Sequence, residues 1–121
     1  MTKKLFSLVA ALGILLASSP AFASRLDFSI FNHTGLTIKE VYVSEANDTN
    51  WGEDILEKDV LADGEEFEID MSDFGKKAKH FDIKLVDKDR NEWIVEDVNL
   101  EAVHSIVVRK FLNKVWFEEK K

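Results

Sequence analysis

Between Arg25 and the C-terminus the chain runs in short stretches of alternating apolar and polar residues, separated by Gly, Asn and Asp. Alternation with a period of two builds a strand with one face toward a core and the other toward water. RLDFSIF sets Leu26, Phe28 and Ile30 on one face and leaves Asp27 and Ser29 on the water side. NHTG at 32–35 reads as a turn, because Asn and Gly accept positive φ and an Asn side chain can imitate a backbone turn. In LTIKEVYVS, Leu36 and Ile38 hold one phase while Val41 and Val43 hold the other, a slip that predicts a β-bulge near Lys39 and Glu40.

The pattern continues with a short predicted strand over 57–61, the turn ADG at 62–64, and EEFEIDM with Phe67, Ile69 and Met71 inward. SDFGKKAK is a longer connection. KHFDIKLVDK, with Phe81, Ile83 and Leu85 on one face, and EWIVEDVNL form a hairpin through DKDRNE. HSIVVRKF and VWFEE complete seven or eight strands, and the final EEKK is expected to fray. No stretch from Ser24 onward carries a helical stripe of useful length. The predicted fold is therefore all-β, an antiparallel β-sandwich with no βαβ unit.

A different pattern precedes this one. MTKK is basic, LFSLVAALGILL is apolar, and ASSPAFA supplies an Ala-x-Ala site at Ala21 and Ala23, together the plan of a cleavable signal peptide over 1–23. The apolar run Leu5 to Leu16 has 12 residues, short of the roughly 20 that span a bilayer. No later segment approaches that length, so no membrane span is predicted. A periplasmic or secreted product is expected, with 24–121 as one domain of 98 residues.

The chain has no Cys, so cohesion must come from packing, and neither a thiol nucleophile nor a lipid-bearing Cys is available. Its formal charge is −7, and losing Lys3 and Lys4 with the signal leaves 14 basic against 23 acidic residues, or −9. That balance speaks against nucleic acid and anionic lipid, which need a basic face. It favours a basic protein, such as a cationic hydrolase, or divalent cations, although surplus charge also serves simply to keep an exported protein soluble.

NDTNWGEDIL at 47–56 fits neither a strand nor a helix. Calcium needs six to eight converging oxygens, and Asp48, Glu53 and Asp54, helped by Asn47 and Asn50, are the candidate ligands, though their spacing matches no loop signature. The favoured reading is structural: Trp51 folds back to close one end of the sandwich, Gly52 supplies an unusual backbone angle, and Asp54 caps a short helical turn. Asp87, Asp89 and Asn91 begin like an EF-hand, but Glu92 stands where Gly is needed and Val98 where a bidentate Glu belongs.

No two of His33, His80 and His104 are spaced as a local metal pair, and no Ser lies in an activating context. A non-enzymatic role is expected. Trp93, Trp116, Phe111 and Phe117 could face either way, with core packing favoured. Asn32 and Asn47 head formal glycosylation sequons that read as chance, and Lys76, Lys77 and Lys79 as a solubilised connection.

In order, Asn32-His33-Thr34-Gly35, Tyr42-Val43-Ser44, Trp51-Gly52-Glu53-Asp54-Ile55-Leu56 and Val98-Asn99-Leu100 resemble a family of small exported bacterial proteins. The likeness covers about residues 28 to 108 and implies an exported β-sandwich of unassigned function, with no catalytic residue to carry over. Members often have Cys near the strand at 80 and after Val-Asn-Leu, where this chain has His80 and Glu101, so the disulfide that pattern would imply is absent. The residues and the resemblance together lead to an exported binding module that meets a basic protein through 47–54, with a calcium-dependent module as the alternative.

Overall fold

A computed structural model of the chain describes residues 3–6, 26–74 and 77–121. The apolar run of the predicted signal beyond Phe6, its Ala21 and Ala23 site, and Lys76 lie outside the described residues. The strands are β1 (Lys3–Phe6), β2 (Phe28–His33), β3 (Ile38–Glu45), β4 (Glu66–Ile69), β5 (His80–Asp87), β6 (Glu92–Asn99), β7 (Ser105–Phe111) and β8 (Lys114–Lys120). They form two sheets, in the orders β1-β4-β2-β7-β8 and β3-β5-β6. Among the described residues there is no helix, and hence none long and apolar enough to cross a membrane.

The two sheets share one buried apolar cluster, an arrangement consistent with a β-sandwich. Phe28 and Phe67 enter it from the larger sheet and Phe81 from the smaller, all three fully buried. Removing each ring from water contributes about 2–3 kcal/mol. Leu56, Leu61, Leu100 and Val103 join from the connections, so loops as well as strands close the core.

One pair departs from the antiparallel expectation. β2 and β7 run parallel, with Ser29 opposite Ser105 and His33 opposite Arg109. A parallel neighbour requires the chain to return to its starting end, and the whole smaller sheet is built between leaving β2 and entering β7. A second correction concerns the polar side of β2. The face of β2 read as the water side is closed at its start, where Asp27 and Ser29 are buried, and opens toward Phe31, partly exposed, and His33, exposed. Asp27 Oδ1 accepts from the Met71 amide at 2.7 Å, which makes its burial tolerable.

The bulge expected in β3 is present as a register shift between Ile38 and Glu40. A second shift, between Phe81 and Ile83 against β6, has Asp97 at a φ of 58° and its amide held by Asp82 Oδ1 at 2.8 Å. The strand predicted over 57–61 does not form. Residues 55–58 turn instead, with Glu57 at a φ of 57°, and only Leu61 bridges to Ile38. Nor does the C-terminus fray: β8 continues to Lys120, which stands opposite Ser105 and accepts from the His104 amide at 2.9 Å.

Asn32 ties these pieces together. It is fully buried, and its Nδ2 donates to the carbonyls of Leu36 at 2.8 Å and Leu61 at 2.9 Å. Its Oδ1 accepts from the Thr34 amide at 3.0 Å and the Thr34 hydroxyl at 2.7 Å. Every polar atom of the side chain is used, which rules out Asn32 as a glycan acceptor in the folded state. Asn32→Ala removes four hydrogen bonds at once, although the Leu61 and Leu36 carbonyls each keep one donor, the Ile38 amide and the Thr34 hydroxyl, and it should lower stability by about 2–3 kcal/mol in urea unfolding with the m-value unchanged.

Candidate functional site

The loop 47–56 is assembled from local hydrogen bonds. Asp48 Oδ1 accepts from the Asn50 amide at 2.9 Å, and Asn50 Oδ1 from the Gly52 amide at 3.0 Å. Gly52 has a φ of 75°, a value that disfavours any side chain. Asp54 Oδ1 then accepts twice at 2.9 Å, from the Leu56 amide and from the Val41 amide in β3. The Ile55 amide returns a bond to the Val41 carbonyl at 2.8 Å. Together these bonds dock the loop sideways onto β3, just after its bulge, and deliver Leu56 into the core.

Beside the docked loop lies a cluster on the outer face of the smaller sheet. Tyr42 in β3 stands opposite Lys84 in β5. The Lys84 ammonium sits 4.8 Å from the centre of the Tyr42 ring and 5.2 Å from that of Trp51. An ammonium over two π-faces is held by their quadrupoles. Trp51 is partly buried there, against the solvent side of the sheet.

The Tyr42 hydroxyl donates to Glu40 Oε1 at 2.7 Å, a bond to a carboxylate that pushes its pKa up to about 12. Glu40 is held below the usual carboxylate range by that bond first and then by Arg90, whose Nη1 donates to Oε2 at 2.7 Å.

Between the loop and the sheet edge runs a groove of about 510 Å³. Glu45, Asp48, Glu53, Asp54, Glu57 and Asp73 line it, with Trp51, Ile55 and Phe74 as its apolar surface, and among the described residues no Lys, Arg or His lines it. A wall of one charge focuses potential and concentrates counter-ions, and the aromatic and aliphatic floor suits the hydrocarbon stem of a Lys or Arg side chain. Asp73 and Phe74 come from the connection after β4. They carry no local motif, and only the fold brings them to the loop.

The three acids predicted as calcium ligands all lie along this groove, yet among the described residues no three His, Cys, Asp or Glu side chains converge as a metal set. Asp54 is occupied by amides, as described above. The EF-hand-like loop is similarly committed. Asp87 is fully buried, with Oδ1 accepting from the amides of Asp89 at 2.9 Å and Asn91 at 2.8 Å and Oδ2 from Asn91 Nδ2 at 3.0 Å. Burial pushes its pKa up, but these donors outweigh that effect and leave it lowered.

The histidines do not assemble. His33 stacks on Phe31 at 4.6 Å, while His80 pairs through Nδ1 with Asp97 at 3.0 Å. The four aromatics split: Trp93 and Phe117 pack on the core, whereas Phe111 and Trp116 are exposed. Comparisons with protein-family models, curated proteins and solved structures gave no match.

Two outcomes follow from the carboxylates. Asp54→Ala should cost about 2 kcal/mol by stranding the Val41 and Leu56 amides, and millimolar calcium should leave the melting temperature of both proteins unchanged in a thermal scan. Asp87, with its lowered folded pKa, stabilises the fold above its unfolded value near pH 4, and that contribution is lost as pH falls through the folded pKa. In Asp87→Asn the slope of unfolding free energy against pH should therefore flatten below about pH 4.

Proposed function

We propose that the chain is exported to the periplasm or beyond, as the small bacterial proteins it resembles are, and works there without catalysis as a binding module for a basic protein. The observation that carries this reading is the composition of the groove: six carboxylate side chains and a partly exposed aromatic and aliphatic floor, with no basic residue among the described residues of its wall. The surplus of 23 acidic over 16 basic residues across the chain adds a long-range pull on a cationic partner. Such a field acts mainly on the rate of encounter and on the choice of partner, while Trp51 and Phe74 supply the contact area that slows dissociation.

Recognition of this kind needs no cofactor. A Lys or Arg side chain of the partner enters along Asp48 and Glu53, its stem against Trp51. Lys84 already holds one region of the Trp51 ring, so the incoming cation must use what the groove leaves open.

The test is a binding titration against a panel of basic and neutral proteins of similar size. Basic members should bind, with affinity falling at least tenfold between about 20 and 500 mM salt. Asp48→Asn, which keeps the Oδ1 that accepts from the Asn50 amide, combined with Glu53→Lys should weaken them by a further several-fold, with the melting temperature little changed because both side chains are exposed. Equal affinity at both salt concentrations would sink the proposal.

A further inference from the structure

The two sheets differ in how their edges are protected. A strand edge presents unpaired N–H and C=O groups that pair readily with another chain, and proteins blunt such edges with bulges, Lys residues or covering segments. In the smaller sheet, β3 is bulged at Ile38 and Glu40, and Asp54 and Ile55 occupy the Val41 amide and carbonyl. The opposite edge, β6, has the register break at Asp97. In the larger sheet, β8 carries Lys114 and Lys120, both exposed.

β4 has no bulge and no Lys, although it is short and carries Glu66 and Glu68. Glu66–Ile69 pairs with β2 without a register shift and contains no Lys or Pro. What covers its outer edge is β1, Lys3–Phe6, in an antiparallel ladder. That segment belongs to the predicted signal peptide, and cleavage after Ala23 removes it. The exported chain would then keep its core intact, since the buried cluster runs from Leu26 to Val108, but would present an open, regular edge.

We infer that the outer edge of β4 is a strand-acceptor site, which takes an extended antiparallel segment of a partner protein with a basic residue opposite Glu68 and an apolar residue opposite Phe67. The centre of the β1 register gives this pattern, with Lys4 opposite Glu68 and Leu5 opposite Phe67, while its ends, Lys3 opposite Ile69 and Phe6 opposite Glu66, do not follow it. Phe67 and Ile69 face the core, and Glu66 and Glu68 the other side. A segment adding here extends the sheet through its backbone, and its alternate side chains give selectivity.

The same pattern disfavours a second copy of the chain. An antiparallel pair of β4 strands that keeps both apolar faces on one side sets Glu66 against Glu68 twice, and like charges directly opposite destabilise a ladder. This surface is separate from the acidic groove, which β4 does not line, so the inference does not depend on the groove having a ligand.

The test uses the processed chain 24–121 and the synthetic peptide MTKKLFS, with amide hydrogen exchange followed residue by residue. At saturating peptide, exchange within 66–69 should slow about tenfold, and Glu68→Lys should weaken the peptide several-fold. Only alternate amides of an added strand face the acceptor. Of two peptides, one N-methylated at Lys3 and Leu5 and the other at Lys4 and Phe6, one should therefore lose binding while the other keeps it.

In the uncleaved chain, Leu5→Pro should speed exchange over 66–69. Absence of protection there, equal behaviour of the two methylated peptides, or self-association of the processed chain through β4 would overturn the inference.

Discussion

The carbonyl of Leu61 is where the two sheets are held in register. It accepts from the amide of Ile38, which opens β3 in the smaller sheet, and from the side chain of Asn32, which lies in β2 of the larger one. The Leu61 amide completes the bridge by donating to the Ile38 carbonyl at 2.8 Å. In a chain without disulfides, sheets that share only apolar contacts can slide, because dispersion and burial have little direction. A buried, fully paired amide has direction. Asn32 therefore fixes how the apolar faces meet, and the turn from β2 to β3 and the return past Leu61 follow from that point.

The acidic composition acquires a second meaning beside solubility. Asp48, Asp54, Asp70 and Asp87 each accept from the amide two residues on, as do Asn32, Asn50 and Asn99. Each such bond offers the backbone a local partner where no strand ladder exists, with a net contribution of about 0.5–1.5 kcal/mol. Much of what looks like ligand chemistry in the sequence is this turn chemistry. Asp54 and Asp87 go further by also holding more distant amides, at Val41 and Asn91, so each serves as the hub of its loop.

The groove is a by-product of the same bonding. Docking the loop onto β3 commits Asp54 but leaves Asp48 and Glu53 exposed along a wall that already contains Glu45. Like charges gathered in this way cost stability unless a cation or solvent screens them. The outer face of the sheet offers a local precedent, because Lys84 is the cation that lies over Tyr42 and Trp51.

Strands β2 to β8, the inward residues Phe28, Ile30, Phe67, Ile69, Phe81, Ile83 and Leu85, and the bulge in β3 were legible in the sequence, whereas β1 lies in the stretch read as a signal peptide. Period-two alternation and its slips are local properties, readable over a few residues. Asp48, Trp51, Glu53 and Asp54 could likewise be singled out by their unusual company. Their role could not, because a carboxylate accepting from amides and one awaiting a cation have the same sequence, and the Val41 amide that decides between them lies 13 residues away. Nor could the strand over 57–61 be rejected, since its apolar residues also fit a turn that buries Leu56 and Leu61. Only the tertiary structure made β2 and β7 parallel neighbours, buried Asp27, and brought Asp73 and Phe74 to the loop, because strand pairing joins segments far apart in the chain and is set by which apolar faces can be covered together.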